Sequence, residues 1–236
     1  FPALTLIRFF HNHGLLSLNA QPTWKVVSGG SQTYIPELIA PVSGGIHTSS
    51  AIQAVRRTED GVTVAFRDRP SLTFDEVVYT CHDDQVLPLL ADPSDREREV
   101  FANFTTTTNV AWLHTDASVL PAQARARASW NYLLAADGTA APTVTYDLNR
   151  LQGLAGSEQY CVTLNPNGCI DERRVLRRFV YRHPLYSRDA ISAQRRWREV
   201  SGVNRTHSCG AYWAYGCHAD GLNSAHRAAR HAAGSW

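Results

Sequence analysis

The chain of 236 residues contains no methionine, not even at position 1. Its opening, Phe1-Pro-Ala-Leu-Thr-Leu-Ile7, runs at once into an apolar segment, so the expectation is that the chain begins partway through a longer one. Lysine is nearly as scarce. Lys25 is the only one among 23 basic side chains, and any chemistry that needs a lysine has that single candidate. No uninterrupted apolar run approaches the roughly 20 residues of a membrane span, and no charged-then-apolar leader opens the chain. These two absences point to a cytoplasmic protein with no transmembrane segment. The five cysteines, Cys81, Cys161, Cys169, Cys209 and Cys217, are odd in number and widely spaced, which fits a reducing compartment better than a disulfide framework. None forms a Cys-x-x-Cys pair, so no metal centre is expected, and the crowded His207, Cys209, Cys217, His218 and His226 are read as structural. A formal net charge of +2 is too small to imply nucleic acid, although arginines bunch at 173–178 and 195–198. Nowhere is there a Gly-x-Gly-x-x-Gly segment between a strand and a helix, so the βαβ unit that carries a dinucleotide is absent.

What is present is an ordinary globular composition, 44% hydrophobic and 19% charged. Residues 1–18 place Leu6, Phe9, Phe10 and His13 at helical spacing, with Gly14 suited to close the helix. Trp24–Ile39 reads as a short strand, the double glycine Gly29-Gly30, and a helix that Ser31 could cap. Residues 46–82 form the clearest β region: a short strand from Ile46, then Ile52–Arg57, an Asp60-Gly61 hairpin turn, Val62–Phe66, and a strand over Leu72–Thr80. The continuous apolar end of that last strand suggests burial on both faces, and places Thr80-Cys81-His82 near something important. Cys81 beside His82 could suggest a nucleophile and its base, but neighbours on a strand point to opposite faces. Residues 83–100 predict a short helix and a capped, charged helix whose charges form a solvated face. Strands follow at Asn109–His114, Ala128–Leu134, Thr143–Asp147 and Gln159–Leu164, an antiparallel sheet whose inward face would carry Trp112, His114, Trp130 and Tyr146. Glu172–Phe179 and 189–198 read as two arginine-rich helices.

The stretch Thr206–Ala233 joins a glycine-rich turn, Gly210 to Gly221, to an alanine-rich helix. Such a turn exposes backbone N–H groups, and the helix adds a partial positive charge at its N-terminus, so the junction suits a phosphate or an electron-rich ring.

Several motifs, in order along nearly the whole chain, carry a family resemblance: Arg8–Leu16, Gly29-Gly30-Ser31, Phe74–Val78 with His82 and Gln85, Leu113–Asp116, Ser129–Tyr132, Asn149–Gly153, and Cys209–Gly216 with His218, Asp220 and Gly221. Together they resemble the C-terminal half of the flavin-containing amine oxidase-like superfamily, within it a bacterial branch of FAD-dependent oxidoreductases or predicted NAD/FAD-binding proteins. The resemblance implies a mixed α/β (α+β) fold in which a partial FAD/NAD(P)-binding domain is interleaved with an antiparallel-sheet substrate domain. Residues 1–20 would be a helical part of the substrate domain, 21–82 the middle of the FAD domain, 83–200 the substrate domain, and 201–236 the last FAD-domain segment. Gly29 and Gly30 would face the flavin, the backbone of Ile52 the adenine, and Gly210 the ribityl-pyrophosphate. Gly221 and Leu222 would offer N–H groups to the flavin pyrimidine edge, with His218 and Asp220 as catalytic polar groups.

Three departures matter. The family's usual active-site lysine position is far from Lys25, and a cage tyrosine position falls on Gly221. Where the bacterial branch reads Gly-Phe-His-Glu-Asp-Gly, this chain has Gly216-Cys-His-Ala-Asp-Gly221. Amine oxidation is therefore disfavoured. The branch also resembles a flavoprotein module found alongside cyclopropane-fatty-acid-synthase-like methyltransferases. The function implied is an FAD-dependent oxidoreductase removing hydride from a small apolar substrate, a lipid-like molecule being one candidate. The alternative is a non-catalytic binding module or inactive remnant that cannot hold FAD alone.

Overall fold

The computed structural model describes residues 2–17, 19, 23, 25–134 and 142–234. In chain order its elements are α1 (Ala3–Asn12), α2 (Ile35–Ile39), β1 (Ile52–Arg57), β2 (Val62–Phe66), β3 (Leu72–Phe74), β4 (Val77–Tyr79), α3 (Asp83–Leu89), α4 (Asp95–Phe101) and β5 (Thr105–His114). They continue as β6 (Trp130–Leu133), β7 (Thr143–Asp147), α5 (Leu148–Gln152), β8 (Cys161–Leu164), β9 (Val175–Leu185), α6 (Arg188–Gln194), β10 (Thr206–Ser208) and α7 (His218–Ala232). The expected mixed α/β architecture holds. Two compact units are interleaved along the chain: Phe1–Pro22, Gly45–Thr107 and Pro184–Trp236 form one, and Thr23–Gly44 with Thr108–His183 the other.

The first unit holds the apolar core. β1, β2 and β3 form an antiparallel meander whose first turn closes through Thr58 N–H to Gly61 O at 2.8 Å. Val55, Val62 and Val64 from the meander are buried with Tyr79, Val86, Val100, Phe101, Phe104, Trp197, Tyr212 and Trp213. The strand expected over Leu72–Thr80 is broken at Asp75-Glu76: β3 completes the meander, whereas β4 pairs in parallel with β10. No strand forms around Ile46 or over 25–27; Trp24 lies outside the described residues. Gly30, not Ser31, caps the 3-10 turn Ser31–Tyr34, and Thr33 Oγ1 donates to Gly30 O at 2.8 Å. Gly29 and Gly30 have φ of +79° and +86°, a left-handed conformation that glycine adopts without steric cost.

α4 begins with the capping box that its sequence promises: Glu97 N–H donates to Ser94 Oγ at 3.2 Å, and Ser94 N–H to Glu97 Oε2 at 2.8 Å. The charged run is not wholly a solvated face, however. Glu97 is buried and paired with Arg57 of β1.

The second unit is built on a five-stranded sheet in the order β6-β7-β8-β5-β9. The four strands expected are present and antiparallel through β6, β7, β8 and β5. The turn over 135–141 lies outside the described residues. The fifth strand occupies most of the segment expected as a helix: only Glu172–Arg174 makes a 3-10 turn before β9 begins. Val175, Phe179, Val180 and Tyr181 are β-branched or aromatic, and pairing beside β5 outweighs the helical spacing of the arginines.

The register also divides the expected aromatic face in two. Trp112 pairs with Thr163 and His114 with Cys161, on one face, whereas Trp130 pairs with Tyr146 on the other. The first face is buried and polar. His114 Nε2 donates to Thr163 Oγ1 at 2.7 Å, Thr145 lies 2.9 Å beyond, and Asp116 N–H donates to His114 Nδ1 at 3.1 Å. That backbone donor requires an unprotonated Nδ1, so the ring is neutral. Burial pushes the His114 pKa down from its ordinary 6.5, against the opposing charge of Asp116. A depressed imidazole stabilises the fold above the unfolded pKa and loses that contribution as pH falls toward the folded one. Urea midpoints are thus expected to drop as pH falls below about 6.5, with His114→Gln flattening the profile. An unchanged slope in the variant would show that other groups carry the dependence.

Candidate functional site

The segment from β10 into α7 gathers most of the expected site residues at one helix N-terminus. β10 ends at Ser208, a 3-10 turn runs over Ala211–Trp213, and α7 starts at His218. Gly210 N–H donates to Ser224 Oγ of α7 at 3.1 Å, which ties the turn to the helix. At Gly210 any side chain would collide with the Tyr212 ring, and at Gly221 the nearest neighbour of an added Cβ is Ala211 Cβ at 3.9 Å. Glycine at 210 therefore lets Tyr212 fold back against its own backbone. Glycine at 221 leaves the first turn of α7 bare beside Ala211.

Asp220 organises the loop between them. Its Oδ2 accepts from Cys217 N–H at 3.0 Å and from Tyr215 N–H at 3.3 Å. Asp220 N–H and Gly221 N–H both donate to Cys217 O. Among the described residues, the N–H groups of His218 and Ala219 have no acceptor in the chain. These are the donors that an α-helix leaves open, at the positive end of a 15-residue dipole. His218 and Leu222 are exposed. Ile52 begins β1 in the same unit, whereas Gly29 and Gly30 belong to the other unit.

Two neighbours of this loop were not expected from the sequence. His13 Nε2, just past α1, lies 3.5 Å from Cys217 Sγ, and the Tyr186 hydroxyl fills the space that a side chain on Gly216 would need. Burial, and then the nearby Asp220 carboxylate, push the Cys217 thiol up, so it rests protonated. Burial likewise raises the Tyr186 phenol, which stays neutral beside Asp220, Asp83 and Cys217. The position of His13 lies 204 residues from Cys217, and no spacing rule links them.

Thr80-Cys81-His82 leads into α3, where His82, Asp83 and Asp84 present ligating atoms within 4.8 Å of one another. They already pair among themselves: His82 Nδ1 is 2.6 Å from Asp83 Oδ1 and 3.0 Å from Asp84 Oδ1. Burial pushes the Asp83 carboxyl up, with His82 opposing it. Cys81 follows β4 rather than lying in it, and burial raises its thiol. With His82 Nδ1 committed to the carboxylates, the arrangement gives Cys81 no base at that atom.

Among the described residues no helix is long and apolar enough to cross a membrane. No protein-family model matches the chain, and no curated protein matches it. Solved structures do. A CLA-producing fatty acid isomerase from P. acnes is similar with a TM-score of 0.60 and 14% identity, covering 85% of this chain and 52% of its own. A putrescine oxidase variant made in a redesign of cofactor binding gives 0.56 and 10%, covering 88% and 53%. The wild-type putrescine oxidase bound to putrescine gives 0.54 and 10%, covering 86% and 54%. The chain spans about half the length of each structure, and at these identities the likeness is one of fold.

Proposed function

We propose that the chain is the C-terminal portion of an FAD-dependent oxidoreductase acting on a small apolar substrate. The observation that carries this reading is the bare N-terminus of α7: two open N–H groups beside Gly221, with Gly210 fixed against Ser224. A flat, electron-rich ring fits such a surface, because across the loop only Ala211 comes within 4.0 Å of where a Gly221 Cβ would sit and the helix end favours negative charge. The resemblance in sequence and the likeness in fold support the same assignment.

FAD would be held by Gly210, Gly221 and Leu222, with Ile52 toward the adenine. When bound, the flavin would accept a hydride from a substrate C–H bond. The chain's own contribution is positional and electrostatic. Asp220 fixes the loop through Cys217 and Tyr215, which favours it as a positioning residue, and leaves His218 as the exposed polar group next to the open donors. A protonated Cys217 and a neutral Tyr186 add no charge to the loop. The apolar substrate, with a lipid-like molecule as the candidate, follows from the branch that the sequence resembles.

Titration of the purified complete gene product with FAD, followed by quenching of flavin fluorescence, tests the proposal. Saturable one-to-one binding is expected, weakened on the order of tenfold in Asp220→Ala, where the loop loses its cap. A gene product that neither copurifies with flavin nor binds added FAD sinks the reading.

A further inference from the structure

The C-terminal half of α7 carries a second feature, unrelated to the bare N-terminus. His226, Arg227 and Arg230 follow helical spacing on one face, and with His231 they line a cleft of about 550 Å³ that Arg198 and Trp197 complete. Among the described residues no aspartate or glutamate lines it. Some arginines elsewhere meet carboxylates: Arg57 with Glu97, Arg96 with Glu99, Arg173 with Asp171, Arg178 with Glu172, Arg196 with Glu199. Among the described residues, Arg227 and Arg230 have no such partner.

Helix stability does not explain the cluster. Basic residues in the last turn complement the helix dipole, which accounts for Arg230 and His231. Arg227 lies before that turn, and cations three or four residues apart on a helix repel one another. The Arg227 guanidinium lies 4.0 Å over the Trp197 ring. That indole is itself fixed by its Nε1–H to Ser208 O bond of 2.7 Å. The stack occupies the flat face of the guanidinium and leaves its in-plane donors for a bidentate acceptor. Burial, and then the charge of Arg198, push the Arg227 pKa down.

We propose that this cleft binds a phosphate-bearing anion, held by Arg227 and Arg230 with Arg198 beside them. Guanidinium groups match phosphate oxygens in pairs, and converging fixed cations suit a dianion better than a single carboxylate. The cleft has room for more than an isolated phosphate, so the group belongs to a larger molecule, either soluble or a lipid headgroup.

Isothermal titration of the purified protein with inorganic pyrophosphate, beside co-sedimentation with phosphatidylcholine vesicles doped with phosphatidic acid, tests this. Binding should saturate at one site, weaken as salt is raised, and fall about tenfold or more in Arg227→Gln/Arg230→Gln. Arg173→Gln, on an exposed arginine of the other unit, should leave it unchanged. Arg230→Gln alone, at an exposed position, preserves the test if the double variant fails to fold. Pyrophosphate binding without vesicle binding identifies a soluble ligand; vesicle binding lost in the variants identifies a lipid headgroup. Absence of both, or binding that the α7 variants do not alter, overturns the proposal. None of these readouts involves flavin, so failure here and failure of the FAD reading are distinct.

Discussion

Arg57→Ala is expected to destabilise the protein by about 3–5 kcal/mol, because it strands a buried carboxylate. The Arg57 and Glu97 side chains are each only 3% exposed. Arg57 Nη2 donates to Glu97 Oε2 at 2.9 Å and to Asp92 O at 2.7 Å, Nη1 to Glu97 Oε1, and Nε to Asp92 Oδ1 at 3.3 Å. One side chain thus ties β1 to α4 and to the turn before it. Burial pushes the Glu97 carboxyl up, but hydrogen bonds from Arg57 and Ser94, together with the Arg57 charge, outweigh it and hold the pKa below its ordinary 4.5. A carboxyl depressed in the folded state stabilises fully above the unfolded pKa and loses that contribution as pH falls through the folded one. Acid should therefore weaken the native protein below about pH 4.5, and Glu97→Gln should remove that part of the dependence. Urea unfolding at neutral pH and across the acid range measures both effects. A loss under about 1 kcal/mol in Arg57→Ala would mean that water reaches Glu97 and that the pair is not the tie described.

Glu97 also shows what sequence can and cannot reveal. The cap of its helix was legible because Ser94 immediately precedes the charged run and the chemistry is local. Its buried pairing was not, because Arg57 lies 40 residues away on a strand whose charges resemble any exposed edge. The β1–β2 hairpin was legible for the same local reason: a short turn ending in Asp60-Gly61 joins two alternating segments. β9 was misread because its arginines fall at helical intervals while its apolar residues fall in adjacent groups, 175–176 and 179–181, that show no period of two. Only the sheet partner decides between the readings. At the candidate site, Gly210, Gly221 and Asp220 came together because they share one turn and one helix start. His13 and Tyr186 reach the same loop from distant segments, and nothing in their own neighbourhoods announces it.

Trp213→Ala is the second large effect, expected at about 3–5 kcal/mol, and it links the core to the candidate cofactor surface. The indole is buried at the centre of an aromatic cluster, its ring 5.0 Å from Phe104 and 5.8 Å from Phe101 in edge-on arrangements. Such pairs add to the burial term. Its Nε1–H donates to Ser208 Oγ at 3.1 Å, and the same hydroxyl meets the Tyr212 phenol at 2.9 Å. Truncation would open a cavity and leave the fully buried Ser208 with one partner fewer. Trp213 ends the 3-10 turn whose backbone closes through its N–H to Gly210 O at 3.3 Å, so the packed indole anchors the turn that presents Gly210. Trp213→Phe keeps most of the volume and should recover more than half of the loss, retaining the turn but not the indole hydrogen bond. Hydrogen exchange separates the two consequences: protection over 210–217 should fall sharply in Trp213→Ala and only slightly in Trp213→Phe. If both variants leave that segment as protected as in the native protein, the turn is held by Ser224 and Asp220 alone, and the candidate surface at the start of α7 does not depend on the aromatic core beneath it.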